Sequence, residues 1–254
     1  MDELQILKAR LLDLAQKAYR QNIYTYTGFL NSSELAVFYS LRPEFNWIDF
    51  DTNGGYEMAE RQMVRFGSQS MFGYDEPWRL SILKAVPVME KFADTLSHRD
   101  FLGAIMNLGI ERNVIGDVIV KEGRDAFIIC QDNMAEYITE NLTKVKHTNI
   151  RCLPINSKED LNVLKPKLID ISITVAAPRF DAIIAGVIKC SRKEALSLFA
   201  AGKVTLNGVP CERNSIPLKD GDIFSIRGHG KFQYVGCGNE TRKGRIYVHL
   251  MQYV

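Results

Sequence analysis

Two adjacent cations, Arg192 and Lys193, follow Ser191 and precede Glu194. Ser191 and Glu194 stand three residues apart in a capping-box pattern, so a helix starts here and runs to about Ala201, ended by Gly202. The start of a helix carries partial positive charge, which makes cations there unfavourable by roughly a few tenths of a kcal/mol. Acidic residues would be the ordinary choice. Two cations beside unpaired backbone N–H groups instead build a site for a phosphate.

Other chemistries find less support. The five cysteines (Cys130, Cys152, Cys190, Cys211, Cys237) and four histidines include no pair at zinc-knuckle, redox or His-x-x-x-His spacing. No metal and no cofactor is expected, and the cysteines read as reduced thiols, mostly buried, in a reducing compartment. His98-Arg99-Asp100 matches the catalytic triplet of kinases, but Ile105 stands where their asparagine belongs, and no Asp-Phe-Gly follows. Asp100 is better explained as the capping partner of Ser97. Gly228-His229-Gly230-Lys231 lacks the pattern of a phosphate loop and suits a flexible basic turn at a strand end. No nucleophile elbow and no cysteine with a readable histidine partner is present, so an enzyme is not expected. Arg61 and Arg65 are expected on one helix face, solvated and partly paired with Glu57 and Glu60.

The elements that must position these residues follow from periodicity. Leu4, Leu7, Leu11, Leu14 and Ala18 make one stripe of an amphipathic helix over residues 2–20. Asn31 and Glu34 predict a capped second helix to about Leu41, and Tyr56–Phe66 returns to helical spacing after the turn signal at Thr52–Gly55. Residues 1–78 therefore read as an α-rich module. From Arg79 the order changes to a strand at Leu80–Ile82, a helix from Ser97 to Gly109, and strands at Val114–Val120 and Ala126–Cys130. A helix capped by Asp132 and a strand at Asn149–Ile155 complete β-α-β-β-α-β, the order of a ferredoxin-like sheet, over residues 79–166. Its third strand lacks the aromatic signature of an RNA-recognition motif. Asn156–Lys167 reads as a linker. Residues 167–254 form a third, small domain: a strand at Ile169–Val175, two short helices, a strand at Lys203–Leu206, the hairpin turn Asn207-Gly208, and a strand at Ile223–Arg227. The fold class is α+β.

Composition sets the partner. The chain has 254 residues, 46% hydrophobic and 24% charged, which excludes a largely disordered chain. No apolar run approaches a membrane span, and the acidic start is no signal peptide, so a cytoplasmic protein is expected. The net charge of +2 hides 12 Lys+Arg against 6 Asp+Glu in residues 178–254, with 20 against 24 elsewhere. That asymmetry points to a nucleic-acid partner for the basic part.

Arg179-x-Asp181, Ser191-Arg192-x-x-Ala195, Gly202-x-Val204-x-Leu206-Asn207-Gly208 and Gly221-Asp222 resemble the S-four RNA-binding domain over about 70 residues. Phe180 replaces the usual leucine. Gly54–Arg61, His98–Ala104 and Thr241-Arg242-Lys243-Gly244-Arg245 resemble the YlmH family over most of the chain. The resemblance implies a non-enzymatic, ribosome-associated protein that binds structured rRNA or tRNA on stalled large subunits, with a link to cell-division proteins. Arg179, Arg192, Lys193 and Lys203 would contact phosphates, with Asn207, Arg227 and Lys231 shaping or extending the surface. Ser191 and Glu194 would support the RNA-binding helix, and Asp181 would fix an arginine or cap the helix rather than touch RNA. Rival classes are a pseudouridine-synthase-type enzyme, for which residues 1–177 offer no recognisable catalytic Asp, and a cell-division scaffold. Alanine at both Arg192 and Lys193 is expected to weaken RNA binding while leaving stability level or slightly higher.

Overall fold

The Asn31 side chain accepts the Ser33 and Glu34 amides at 2.9 and 3.1 Å, while Glu34 accepts the Asn31 amide at 2.7 Å. This reciprocal cap starts helix α2 (Ser32–Ser40), as the sequence predicts. Ahead of it, the leucine stripe forms α1 (Glu3–Gln21), which buries Leu11, Ala15 and Ala18 and leaves Leu4 exposed. The computed structural model describes residues 3–155, 164–165 and 167–254, so most of the expected linker at Asn156–Lys167 lies outside the described residues. The chain divides into two compact units, Met1–Lys165 and Pro166–Val254.

In the first unit α1 and α2 accompany strands β1 (Thr25–Tyr26), β2 (Phe50–Asn53) and β3 (Met63–Phe66) and the short helix α3 (Gln69–Phe72). The strands form an antiparallel sheet in the order β1-β3-β2. The region is mixed rather than α-rich, and Tyr56–Phe66 contains no helix. Two facts explain the difference. Val64 and Phe66 pack into the Phe38–Phe45 cluster while Met63 packs with Phe29 on the other side, so burial on both faces hides the alternation of β3. The stretch before it is tied to Asp117, whose carboxylate accepts the Glu60 amide at 2.7 Å, the Arg61 amide at 3.3 Å and the Tyr56 hydroxyl at 3.0 Å.

Strand β4 (Leu80–Pro87), helix α4 (His98–Met106), strands β5 (Ile115–Lys121) and β6 (Asp125–Gln131), helix α5 (Asp132–Asn141), and strands β7 (Lys144–Val145) and β8 (Thr148–Pro154) follow in the same unit. The antiparallel sheet runs β5-β6-β4-β8-β7. Phe101, Ile105, Ile138 and Leu142 of the α4 and α5 segments pack on one face, against Leu83, Ala85 and Ile128. On the other face Ile82, Phe127 and Ile129 pack with Phe29, Met63 and Leu164. The boundary expected at 78/79 therefore falls inside this unit. Gln131, not Asp132, holds the cap position of α5, without a side-chain bond; Asp132 sits in the first turn and accepts the Asn133 amide at 2.8 Å.

The second unit contains β9 (Leu168–Val175), α6 (Phe180–Val187), α7 (Arg192–Ala200), β10 (Val204–Leu206), β11 (Val209–Pro210), β12 (Ile223–Ile226), β13 (Gly230–Glu240) and β14 (Ile246–Tyr253). One antiparallel sheet runs β11-β10-β12-β13-β14-β9. Core residues of α6 and α7 cover one face, with Phe180 edge-on to Phe199 at 5.1 Å and to Phe224 at 5.3 Å. The larger side chain at 180 is thus absorbed entirely inside the core. Asn207 and Gly208, at φ of 49° and 79°, make the tight turn between β10 and β11.

The cysteines divide by burial. Cys130 and Cys152 are buried and desolvation pushes their thiols up to about 12 and about 11, while Cys190 and Cys211 are half-buried and Cys237 is exposed. Among the described residues, no helix is long and apolar enough to cross a membrane.

Candidate nucleic-acid interface

Asp181 organises the first basic cluster. It lies one residue inside α6 with no exposed side-chain surface, yet accepts three guanidinium bonds. Arg179 Nε and Nη2 donate to it at 3.2 and 3.3 Å, and Arg192 Nε, from the start of α7, donates at 2.9 Å. Burial alone would raise this carboxyl, but the bonds from Arg192 and Arg179, with their charges, hold it below its ordinary value. Arg179 and Arg192 remain 44% and 60% exposed, so their outer N–H groups reach solvent. Each guanidinium carries five donors, and Arg192 spends only its Nε on Asp181.

This arrangement corrects one expectation. Arg192 is not a cation tolerated at a penalty; it neutralises a buried carboxylate, so its removal costs stability. Lys193 is exposed in the same first turn. Ser191 Oγ accepts the Glu194 amide at 3.2 Å and Glu194 Oε2 accepts the Ser191 amide at 2.7 Å, and these bonds hold the Glu194 carboxyl below its usual value. Ser191→Ala is expected to cost about 1 kcal/mol through the lost cap. Hydrogen exchange in α7 would register that loss, and unchanged protection would show the cap to be idle.

Lys203 and Arg227 form a second cluster. The Arg227 amide donates to the Lys203 carbonyl at 2.9 Å, next to the Val204–Ile226 pair, and both residues are exposed. The nine residues of α7 separate this cluster from Arg192 by about 13 Å of helix. Asn207 is taken up by the fold: its amide nitrogen donates to Asp222 at 2.9 Å, and its oxygen accepts the Ile223 amide at 2.9 Å. Lys231 pairs with Ser225 in the register, one residue from buried Phe232, which puts it on the face away from the helices. Its ammonium lies 5.2 Å from the Tyr253 ring centroid. The predicted residues therefore make two clusters and one outlier rather than a single site. Lys189, exposed in the α6–α7 turn three residues before Arg192, was missed; its positive φ of 53° has no marker in sequence.

Arg61 and Arg65 do not share a helix face. Arg61 donates to the carbonyls of Ile115, Phe29 and Arg112 at 3.1, 2.7 and 3.3 Å, and Arg65 lies 4.9 Å from the Tyr24 ring and 4.8 Å from the Trp78 ring. In the five-stranded sheet, the face on which RNA-recognition domains stack bases is closed where Phe29, Met63 and Leu164 pack over Phe127 and Ile129.

Two exposed basic clusters thus stand on a mixed helix-and-sheet scaffold. Residues 76–159 match the family model described as "Putative RNA-binding domain in YlmH". The chain is 26% identical over 235 residues, 91% of its own length and 87% of the relative's, to the ribosome-associated protein quality control protein P2 of Bacillus subtilis (strain 168). A solved chain described as cell division protein ylmH from Streptococcus pneumoniae aligns with a TM-score of 0.49 and 20% identity, covering 63% of this chain and 94% of its own. Over residues 76–159 the chain is thus similar to the RNA-binding domain of YlmH, and over most of its length to the Bacillus subtilis protein.

Proposed function

We propose that this is a non-enzymatic, cytoplasmic RNA-binding protein that docks on structured ribosomal RNA or tRNA of the large ribosomal subunit, in translation quality control. Its C-terminal unit acts as an S-four-type domain. The observation that carries this is the buried Asp181 carboxylate clamping Arg179 and Arg192, so that both guanidiniums are held with donors to spare for a phosphate fork. The capping box contributes by leaving Lys193 in an ordered first turn. The matched RNA-binding domain at residues 76–159 and the name of the Bacillus subtilis relative support RNA and the ribosome as partners.

Titrating the full chain against a tRNA transcript and against large-subunit ribosomal RNA tests the proposal. For about four phosphate contacts, affinity should fall on the order of 100-fold between 50 and 200 mM salt. Mass spectrometry of the recovered RNA should show unmodified nucleosides. Salt-independent binding would remove the electrostatic mechanism, and modified bases in excess of the protein would make it an enzyme.

A further inference from the structure

The turn between β13 and β14 carries three cations in four residues, Arg242, Lys243 and Arg245, all exposed. The turn is closed on itself. The Thr241 amide donates to the Arg245 carbonyl at 2.6 Å, the Gly244 amide to the Thr241 carbonyl at 2.9 Å, and the Arg245 amide to Thr241 Oγ1 at 3.0 Å. Gly244, at φ of 70°, supplies the left-handed step that closure needs. The Arg245 guanidinium donates to the Thr174 carbonyl, which ties the turn to the end of β9. Among the described residues, no ion pair engages Arg242 or Lys243, and the nearest acid along the chain is Glu240. Like charges packed into one short turn repel.

The place of this turn gives it a use. Ile246 pairs with Val175, so the turn lies at the end of the sheet from which the chain leaves β9 for α6. Only four residues separate Thr174 from Arg179, and the five steps between them limit their Cα atoms to about 18 Å apart. The turn therefore stands within one short span of the Arg179–Asp181–Arg192 cluster. Register shifts at Tyr234/Gly236 and Cys237/Glu240 sit in β13 just before it, where bulges increase the twist of a ribbon.

We infer that the β13–β14 turn is a second RNA contact, with Arg242 and Lys243 gripping the phosphate backbone beyond the segment held at the helix starts. Arg245 positions the turn. The inference rests on the proposed RNA-binding function and extends its footprint from the helices to the ribbon. Because phosphate contacts carry no base information, the added affinity is the same for every sequence of one shape.

Three full-length variants test it against a tRNA transcript. R242Q/K243Q removes both charges without touching Arg245; K193Q/K203Q weakens the helix face; R242K/K243R exchanges the cations and keeps the charge. For R242Q/K243Q the salt slope should shrink by about two, equally for RNAs of different sequence, and the exchanged variant should restore it. A full slope in R242Q/K243Q beside a reduced one in K193Q/K203Q overturns the inference and leaves the proposed function standing. An exchanged variant as weak as R242Q/K243Q also overturns it, because phosphate attraction depends on charge. If the unaltered chain itself binds without salt dependence, the proposed function falls, and the inference with it.

Discussion

Replacing Arg192 with alanine should destabilise the C-terminal unit by about 1.5–3 kcal/mol, the usual range for a hydrogen bond to a charged group. Solvent around the 60%-exposed arginine argues for the lower end. Lys193→Ala should stay within about 0.5 kcal/mol. Removing Arg179 and Arg192 together strands a fully buried carboxylate and should cost about 3–5 kcal/mol. Both tryptophans, Trp47 and Trp78, belong to the first unit, so fluorescence should not follow this loss. Hydrogen exchange of the α6 and α7 amides in the full chain should follow it. The pH dependence has a fixed sign. Asp181 has a lowered carboxyl pKa in the folded chain, so its contribution is complete above the ordinary 3.8 and disappears as pH falls through the lowered value. The gap between the native chain and R192A should therefore narrow in acid. Equal protection in both at neutral pH would show that the clamp carries no stability.

In the first unit, Arg61→Ala should cost about 3 kcal/mol. Arg61 serves three backbone carbonyls from two segments, and the Phe29 carbonyl to which it donates at 2.7 Å lies in a loop that no regular strand ladder satisfies. Burial pulls the Arg61 guanidinium below its usual value, and burial together with the neighbouring Arg61 charge pulls Arg112 to about 10. Both stay charged at neutral pH. Tryptophan fluorescence should report a drop of about 1–2 M in the urea midpoint. Arg61→Lys should recover less than half, because one ammonium cannot span a fork of carbonyls. A midpoint unmoved by R61A would mean that Asp117 and the apolar cluster alone join these segments.

Elements whose signals are local could be read from sequence. The Asn31, Ser97 and Ser191 caps, the Asn207-Gly208 turn and the apolar run at Ala126–Cys130 each depend on neighbours within a few residues, and the structure places an element at each. What depends on distant partners could not be read. Strand β3 looks helical because Met63 and Phe66 are both buried, on opposite faces supplied by other segments. Asp117 gives no sign in sequence that it will hold residues 56–61. Strands β13 and β14 escaped notice, since glycines at 230, 236 and 238 and two register shifts interrupt their alternation. At the candidate site the residue types were legible but their grouping was not. Asp181 could be read as fixing an arginine, but not that Arg192 is one of those it holds, because that residue lies eleven positions on, at the start of another helix.

The position of β14 has a consequence for how the second unit is made. Among the described residues strand β9 is paired only with β14, from Leu168–Tyr253 to Val175–Ile246, although everything from α6 to β13 lies between them in the chain. During synthesis β9 emerges early and must wait for the strand that completes it. Throughout that interval Ile169, Ile171 and Ile173 stand on an open strand edge, the kind of surface that chaperones and stray strands engage. The sheet thus closes by a late, long-range pairing, which makes its assembly slow relative to the local hairpins of β10 to β12. A nascent chain halted after Glu240 would not hold a sheet shortened by one strand at its rim: with the inner strand missing, β9 is detached along with it, and β13 becomes the new edge.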